Sequence, residues 1–112
     1  MIKITYEDFR KVDIRVGTVL SVENNEKAWQ PAQVLEVDFG NKIGIKTSSA
    51  KITHYYNSDN LVGEQIIAVR NFPSKNIARI VSEVLILDTV NKEKKVVLLH
   101  PSQKVENGLE VY

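Results

Sequence analysis

From Val12 onward the chain alternates apolar and polar residues with a period of two, and glycine, asparagine or proline repeatedly breaks the pattern after a short run. That rhythm belongs to half-buried β-strands joined by tight turns, and it leaves little room for long helices. Val12, Ile14, Val16, Leu20 and Val22 are expected to face one way, with Asp13, Arg15 and Ser21 facing the other. Gly17 interrupts this run, as at a bulge or a sharp bend in a curved sheet. Asn24 to Pro31 reads as a polar loop that contains Trp29. Val34 to Phe39 and Lys42 to Thr47 read as two further strands, and Gly40-Asn41 between them is a two-residue hairpin signal. Gln65 to Asn71 is an apolar, β-branched run suited to a buried strand. Pro73 cannot donate to a ladder, so a turn is expected there. Val81 to Thr89 and Lys92 to Leu99 read as a closing hairpin, and Asn107-Gly108 as a last turn before Leu109 to Tyr112.

Two short helices fit between these strands. Thr5-Tyr-Glu-Asp8 has capping-box spacing and predicts a helix of about two turns through Lys11. Ser48-Ser49-Ala50 offers caps for a second helix, with Ile52, Tyr55 and Tyr56 on one face and Asn57 to Asn60 as its end. The expected fold class is therefore all-β. It is a five-stranded OB-fold barrel with a short N-terminal helix, a helix between the third and fourth strands, and short terminal extensions. A ferredoxin-like sandwich needs two longer helices. The chain's 112 residues suit one domain: 1–11 as the N-terminal helix, 12–100 as the barrel and 101–112 as a C-terminal extension. Repeats, low-complexity segments and linkers are not visible.

The chemistry legible in the sequence argues against an enzyme. Cysteine is absent, and His54 and His100 are the only histidines, so no metal-ligand spacing exists. Neither a phosphate loop nor a dinucleotide fingerprint nor a serine elbow is present. No catalytic residue, metal or cofactor is expected. The first ten residues carry Lys3, Glu7, Asp8 and Arg10 without a long apolar run, unlike a signal peptide, and no stretch approaches a membrane span. The expectation is a cytoplasmic protein without membrane insertion.

The net charge is only +1, but it is unevenly spread. No acid lies between Asp38 and Asp59, where Lys42, Lys46 and Lys51 fall, nor between Glu64 and Glu83, where Arg70, Lys75 and Arg79 fall. Two readings fit: a fold that gathers both windows into a basic patch, or chance clustering over short windows.

Five segments, in order along the chain, resemble the tRNA-binding-domain family. Val12-Asp-Ile-Arg-Val-Gly17 is similar to its opening strand, and Val34-Leu-Glu-Val-Asp-Phe-Gly40 to its second. Ala68-Val-Arg-Asn-Phe-Pro73 resembles its Val-x-Asn-Leu/Phe-x-Pro segment, with the proline one position early. Ser82-Glu83 matches the start of its Ser-Glu-Gly-Met signature, and Pro101 with Asn107-Gly108 resembles its closing turn. Val84 to Leu87 replace the usual Gly-Met, and Ile43 to Thr53 resemble the CsaA-type secretion chaperones within this family. The resemblance implies an OB-fold homodimer with tRNA and unfolded or precursor polypeptide as partners. A dedicated tRNA-binding factor without a chaperone role is the alternative.

The resemblance places Arg70, Asn71 and Ser82 at the nucleic-acid site, and Lys75 and Arg79 share their acid-free window. Arginine can hold two phosphate oxygens at once, while asparagine and serine suit exposed sugars and bases. For Asn71 the alternative is a turn residue before Pro73. For Ser82 and Glu83 it is a bond closing a strand end, and Glu83 favours that role because an acid repels phosphate. Lys46, Ser48, Ser49 and Lys51 form the second basic group, with Ser48 or Ser49 also open to a helix-cap role. Trp29 and Phe72 are the candidates for a peptide site, and Tyr6, Phe9, Leu109 and Val111 for the dimer interface. Packing against their own barrel remains the alternative for Trp29, Tyr6 and Phe9.

Overall fold

The computed structural model describes residues 1–25, 32–52 and 54–112. Trp29 lies outside them. Helix α1 covers Tyr6–Arg10 and begins as its sequence predicts. The Thr5 hydroxyl accepts from the Asp8 amide, and the Asp8 carboxylate accepts from the Thr5 amide, so two orphan donors are satisfied reciprocally. Strands β1 (Ile14–Asn24), β2 (Gln33–Asp38) and β3 (Ile45–Ala50) follow as an antiparallel meander. Helix α2 (Ser58–Leu61) then leads into β4 (Gln65–Val69). Next come the hairpin β5 (Lys75–Ile77) and β6 (Ile80–Ser82), the short β7 (Leu85–Ile86), and the hairpin β8 (Asp88–Val90) and β9 (Val96–Leu98). The main sheet runs β3-β2-β1-β4-β7 and curls into a nearly closed barrel, an OB-fold.

Phe39, Leu35, Ile52, Ile66, Val19 and Val37 are fully buried and fill the barrel. Strand β1 does not keep a single alternation. Val19 pairs with Val37 and Ser21 with Glu36, so Leu20 is the extra residue of a bulge. Gly17 and Val19 face the core before the bulge and Val22 packs against it afterwards, while Leu20, expected inside, is 41% exposed. Gly17 sits where the strand bends over the core. A Cβ there would lie 2.6 Å from Val37 and 2.8 Å from Phe39.

Three other expectations are corrected. Lys42 to Thr47 does not join Val34 to Phe39 through a two-residue turn. The strand pairing ends at Asp38 and Ile45, and the connection is longer. Gly44 donates to the Gly40 carbonyl, and both glycines take a φ of 89°, a conformation they adopt without steric cost. Ser48 and Ser49 cap no helix. They continue β3, because Leu35 and Val34 extend the β2 ladder opposite them. The helix begins only at Ser58, and its N-cap Asn57 forms a capping box with Asn60. Ile52 and Tyr56 still turn inward, but from a connecting segment. Finally, the run from Val81 to Thr89 is divided among β6, β7 and β8, because the chain crosses onto β3 at Glu83.

The C-terminal residues extend the barrel wall. β2 pairs with β1 only from Thr18 onward, and Gly108 to Val111 occupy the edge that this leaves. The Gly108 amide donates to Val16, the Val16 amide to Leu109 and the Val111 amide to Ile14.

The Gly17 contacts lead to a prediction. Gly17→Ala should overpack the barrel against Val37 and Phe39 and cost about 1–3 kcal/mol in urea unfolding, with an unchanged m-value.

Candidate nucleic-acid interface

The loop between β4 and β7 folds back across the outer edge of β3, and side chains complete most of that junction. The Glu83 amide donates to the Thr47 carbonyl at 2.8 Å, while the Thr47 amide donates to Glu83 Oε1 at 3.0 Å. The Ser49 amide donates to Ser82 Oγ at 3.1 Å. Ser48 is 1% exposed, and its hydroxyl donates to the Val84 carbonyl at 3.1 Å. Lys46 stands 3.8 Å from the Glu83 carboxylate. Ser82 and Glu83 therefore satisfy the free amides of an edge strand, as their strand-closing reading requires.

Between this junction and the β5–β6 hairpin lies a groove of about 430 Å³. Ser49, Phe72, Lys75, Ser82 and Glu83 all line it, so five residues singled out from the sequence meet in one place. Lys75 and Arg79 are exposed on the hairpin, Lys46 is half-buried on β3, and Lys51 is exposed just beyond that strand. Ile77 and Leu85 add apolar lining that sequence reasoning missed. Leu85 belongs to the run from Val81 to Thr89 read as one strand, and Ile77 stands among polar residues, so only the hairpin's position brings them together at the groove.

Arg70 and Asn71 belong to a different cluster. Asp13 Oδ2 accepts from Arg70 Nε at 2.7 Å, and Oδ1 accepts from Arg15 Nε at 2.6 Å. Arg15 also donates to the Gly108 carbonyl and pairs with Glu110. The Asn71 side chain accepts from the Asp13 amide and donates to the Lys11 carbonyl, fastening the chain as it leaves α1. Arg15, Lys42 and Arg70 border a second hollow of about 310 Å³ beside the 39–44 connection. Asp13 is the residue that sequence reasoning overlooked, although its place beside Arg15 in the opening strand was a visible signal.

The remaining candidates are Tyr6, exposed, and Phe9, half-buried, whose ring centroids lie 6.2 Å apart on α1. Leu109 is exposed and Val111 half-buried on the C-terminal segment. Among the described residues no group of three or more His, Cys, Asp or Glu side chains could hold a metal. No described helix is long and apolar enough to cross a membrane.

Burial pushes the Asp13 carboxyl up, but hydrogen bonds and charge from Arg15 and then Arg70 outweigh it, and the net pKa lies below the usual carboxylate value. The same pairing raises the Arg15 pKa, with the Asp13 hydrogen bond the largest cause. A carboxylate depressed on folding adds stability above its unfolded pKa and loses it as pH falls through the folded one. Asp13→Asn should therefore cost about 1–2 kcal/mol at neutral pH, the pair being partly exposed. Urea titrations should show that deficit shrinking below about pH 4.

Residues 14–110 match the family described as "Putative tRNA binding domain". The crystal structure of the chaperone CsaA from Bacillus anthracis superimposes with a TM-score of 0.91 at 45% identity, covering 99% of this chain and 100% of that one. The CsaA chaperone protein from Picrophilus torridus gives 0.90 at 45% identity, over 98% and 100% of the two chains. The methionine–tRNA ligase of Flavobacterium johnsoniae is 33% identical over 108 residues, which make up 96% of this chain and 15% of the ligase. The chain thus spans about 15% of the length of that curated relative. With the family match running from the first barrel strand to the C-terminal bridge, this chain belongs to the tRNA-binding-domain family.

Proposed function

We propose that this chain grips structured tRNA along β3 and the β5–β6 hairpin, and that as a homodimer it also holds unfolded or precursor polypeptides in the manner of CsaA-type export chaperones. One observation carries the RNA reading: in a member of this family, the basic hairpin stands over β3 at the place where OB-folds receive oligonucleotides. That place is formed by the second and third strands and the connection between the fourth and fifth barrel strands. Lys75 and Arg79 on the hairpin, Lys46 on β3 and Lys51 just beyond it supply phosphate attraction. Ser49 and Ser82 offer hydroxyls at the groove wall.

The roles of the other candidates follow from their surroundings. Arg70 keeps its Nη donors for a phosphate while Asp13 fixes its Nε. Asn71 and Ser48 act through the fold, the first by holding Lys11 to Asp13 and the second by closing the barrel. Glu83 positions Lys46 and the β3 edge.

The apolar part of the groove supports the polypeptide reading. Phe72 and Leu85 are each 50% exposed there, beside Ile77. Exposed aromatic and aliphatic side chains in one hollow suit an unfolded segment. For the dimer, Met1, Ile2, Ile4 and Tyr6 form an exposed apolar stretch at one end of the chain, and Leu109 and Tyr112 are exposed at the other. Self-association would cover them, with Phe9 and Val111 behind. This reading places the protein in the cytoplasm, where both proposed partners arise.

Lys75→Gln should weaken binding to unfractionated tRNA about tenfold and reduce the slope of log K against log salt by about 1. Affinity independent of salt would sink the RNA reading. For the second activity, a stoichiometric amount of dimer should suppress aggregation of a chemically unfolded client, and Phe72→Ser should reduce the effect at least twofold. Undiminished aggregation beside intact tRNA binding would leave a dedicated tRNA-binding factor.

A further inference from the structure

The β5–β6 hairpin turns on two residues, Ala78 and Arg79, between the paired Ile77 and Ile80. Both lie in the left-handed region, with φ of 50° and 69°. A two-residue turn needs that conformation because its twist matches the strands, and the residues suited to it are asparagine and glycine. Alanine and arginine pay a steric penalty there, since Cβ crowds the carbonyl that follows. Elsewhere the chain meets this demand with glycine: Gly40, Gly44, Gly63 and Gly108 take φ values between 89° and 91°. Lys94 is the one other described non-glycine residue with positive φ, and its loop is braced by Asn91, whose side chain accepts from the Glu93 and Lys95 amides. The Ala78–Arg79 turn lacks such a brace. Arg79 is exposed, and its guanidinium makes no hydrogen bond or ion pair with any described residue.

Nothing in the fold is repaid by the Arg79 side chain, yet the fold bears the strain of holding it. Strain that packing does not explain points to use at that position. We propose that this turn is a strained prong, with Arg79 as its phosphate contact on folded RNA and Ala78 as the positioning residue that fixes the direction of the guanidinium. The proposal rests on the tRNA reading above and refines it. A two-residue turn has no slack, so the cation is carried at a set height above β3, free to meet two phosphate oxygens at once. A glycine at position 78 would remove both the strain and the restraint.

The test compares wild type with Arg79→Gly, Ala78→Gly and Arg79→Lys, reading Tm without RNA and affinity for unfractionated tRNA across a salt series. Each glycine variant should raise Tm by about 2–4 °C as strain is relieved. Arg79→Gly should weaken binding about tenfold and lower the log–log salt slope by about 1. Arg79→Lys should keep the slope and lose about threefold, as the bidentate contact goes. Ala78→Gly should also keep the slope and lose about threefold, because the tip must then be ordered on binding. That last loss is one a purely structural turn would not show. A lower Tm for Arg79→Gly would mean that the side chain serves the fold, and would overturn the proposal. So would wild-type affinity and slope in that variant. Wild-type protein that binds no tRNA would overturn this proposal and the RNA reading together. Wild-type binding with an indifferent Arg79→Gly would overturn this proposal alone.

Discussion

The junction of β3 with Ser82, Glu83 and Val84 is the contact on which the barrel and its groove both depend. A sheet that stops at β3 would leave the Thr47 and Ser49 amides without partners along an open edge. Here the Glu83 carboxylate and the Ser82 hydroxyl take those amides, and the buried Ser48 hydroxyl binds Val84 from the other side. Each such bond contributes about 1 kcal/mol net, but leaving the buried Ser48 hydroxyl or the Thr47 amide unpaired would cost more than the bond contributes. The junction also dictates where the β5–β6 hairpin stands, because that hairpin ends at Ser82.

The basic residues then divide into two sets with different physics. Arg15 and Arg70 are tied to Asp13 and hold the start of β1, the end of β4 and the C-terminal turn together. Arg15 is engaged at three of its nitrogens, whereas Arg70 is engaged through Nε alone. Lys75 and Arg79 stand exposed on the hairpin, and neither is paired with an acid among the described residues. Lys46 is intermediate, since Glu83 faces it at 3.8 Å in a half-exposed setting where screening is strong. A net charge of +1 on the whole chain thus conceals a local basic edge.

Much of the fold was legible because its signals are local. The Thr5 capping box, the alternation in β2, the position of a helix before β4 and the Asn107-Gly108 turn each involve residues within a few positions of one another. The misread elements depend on distant partners. Ser48 and Ser49 carry good capping chemistry, but pairing with Leu35 and Val34 and the bond to Val84 hold them in a strand. The bulge at Leu20 likewise follows from the register against β2, which reverses which residues face the core.

The candidate site divides along the same line. The sequence by itself determined the chemical types available: two acid-free basic windows, the paired Ser82 and Glu83, and an apolar Phe72 beside Pro73. Family likeness ordered those segments along the chain. Only the tertiary structure decided which of them share a surface. It brought Ser49, Phe72, Lys75, Ser82 and Glu83 around one groove, turned Ser48 inward, and joined Arg70 and Asn71 to the chain around Asp13. The physical reason is that charge and hydrogen-bonding capacity belong to a residue wherever it stands, whereas the freedom to offer them to a ligand depends on which neighbours the closed barrel has already supplied.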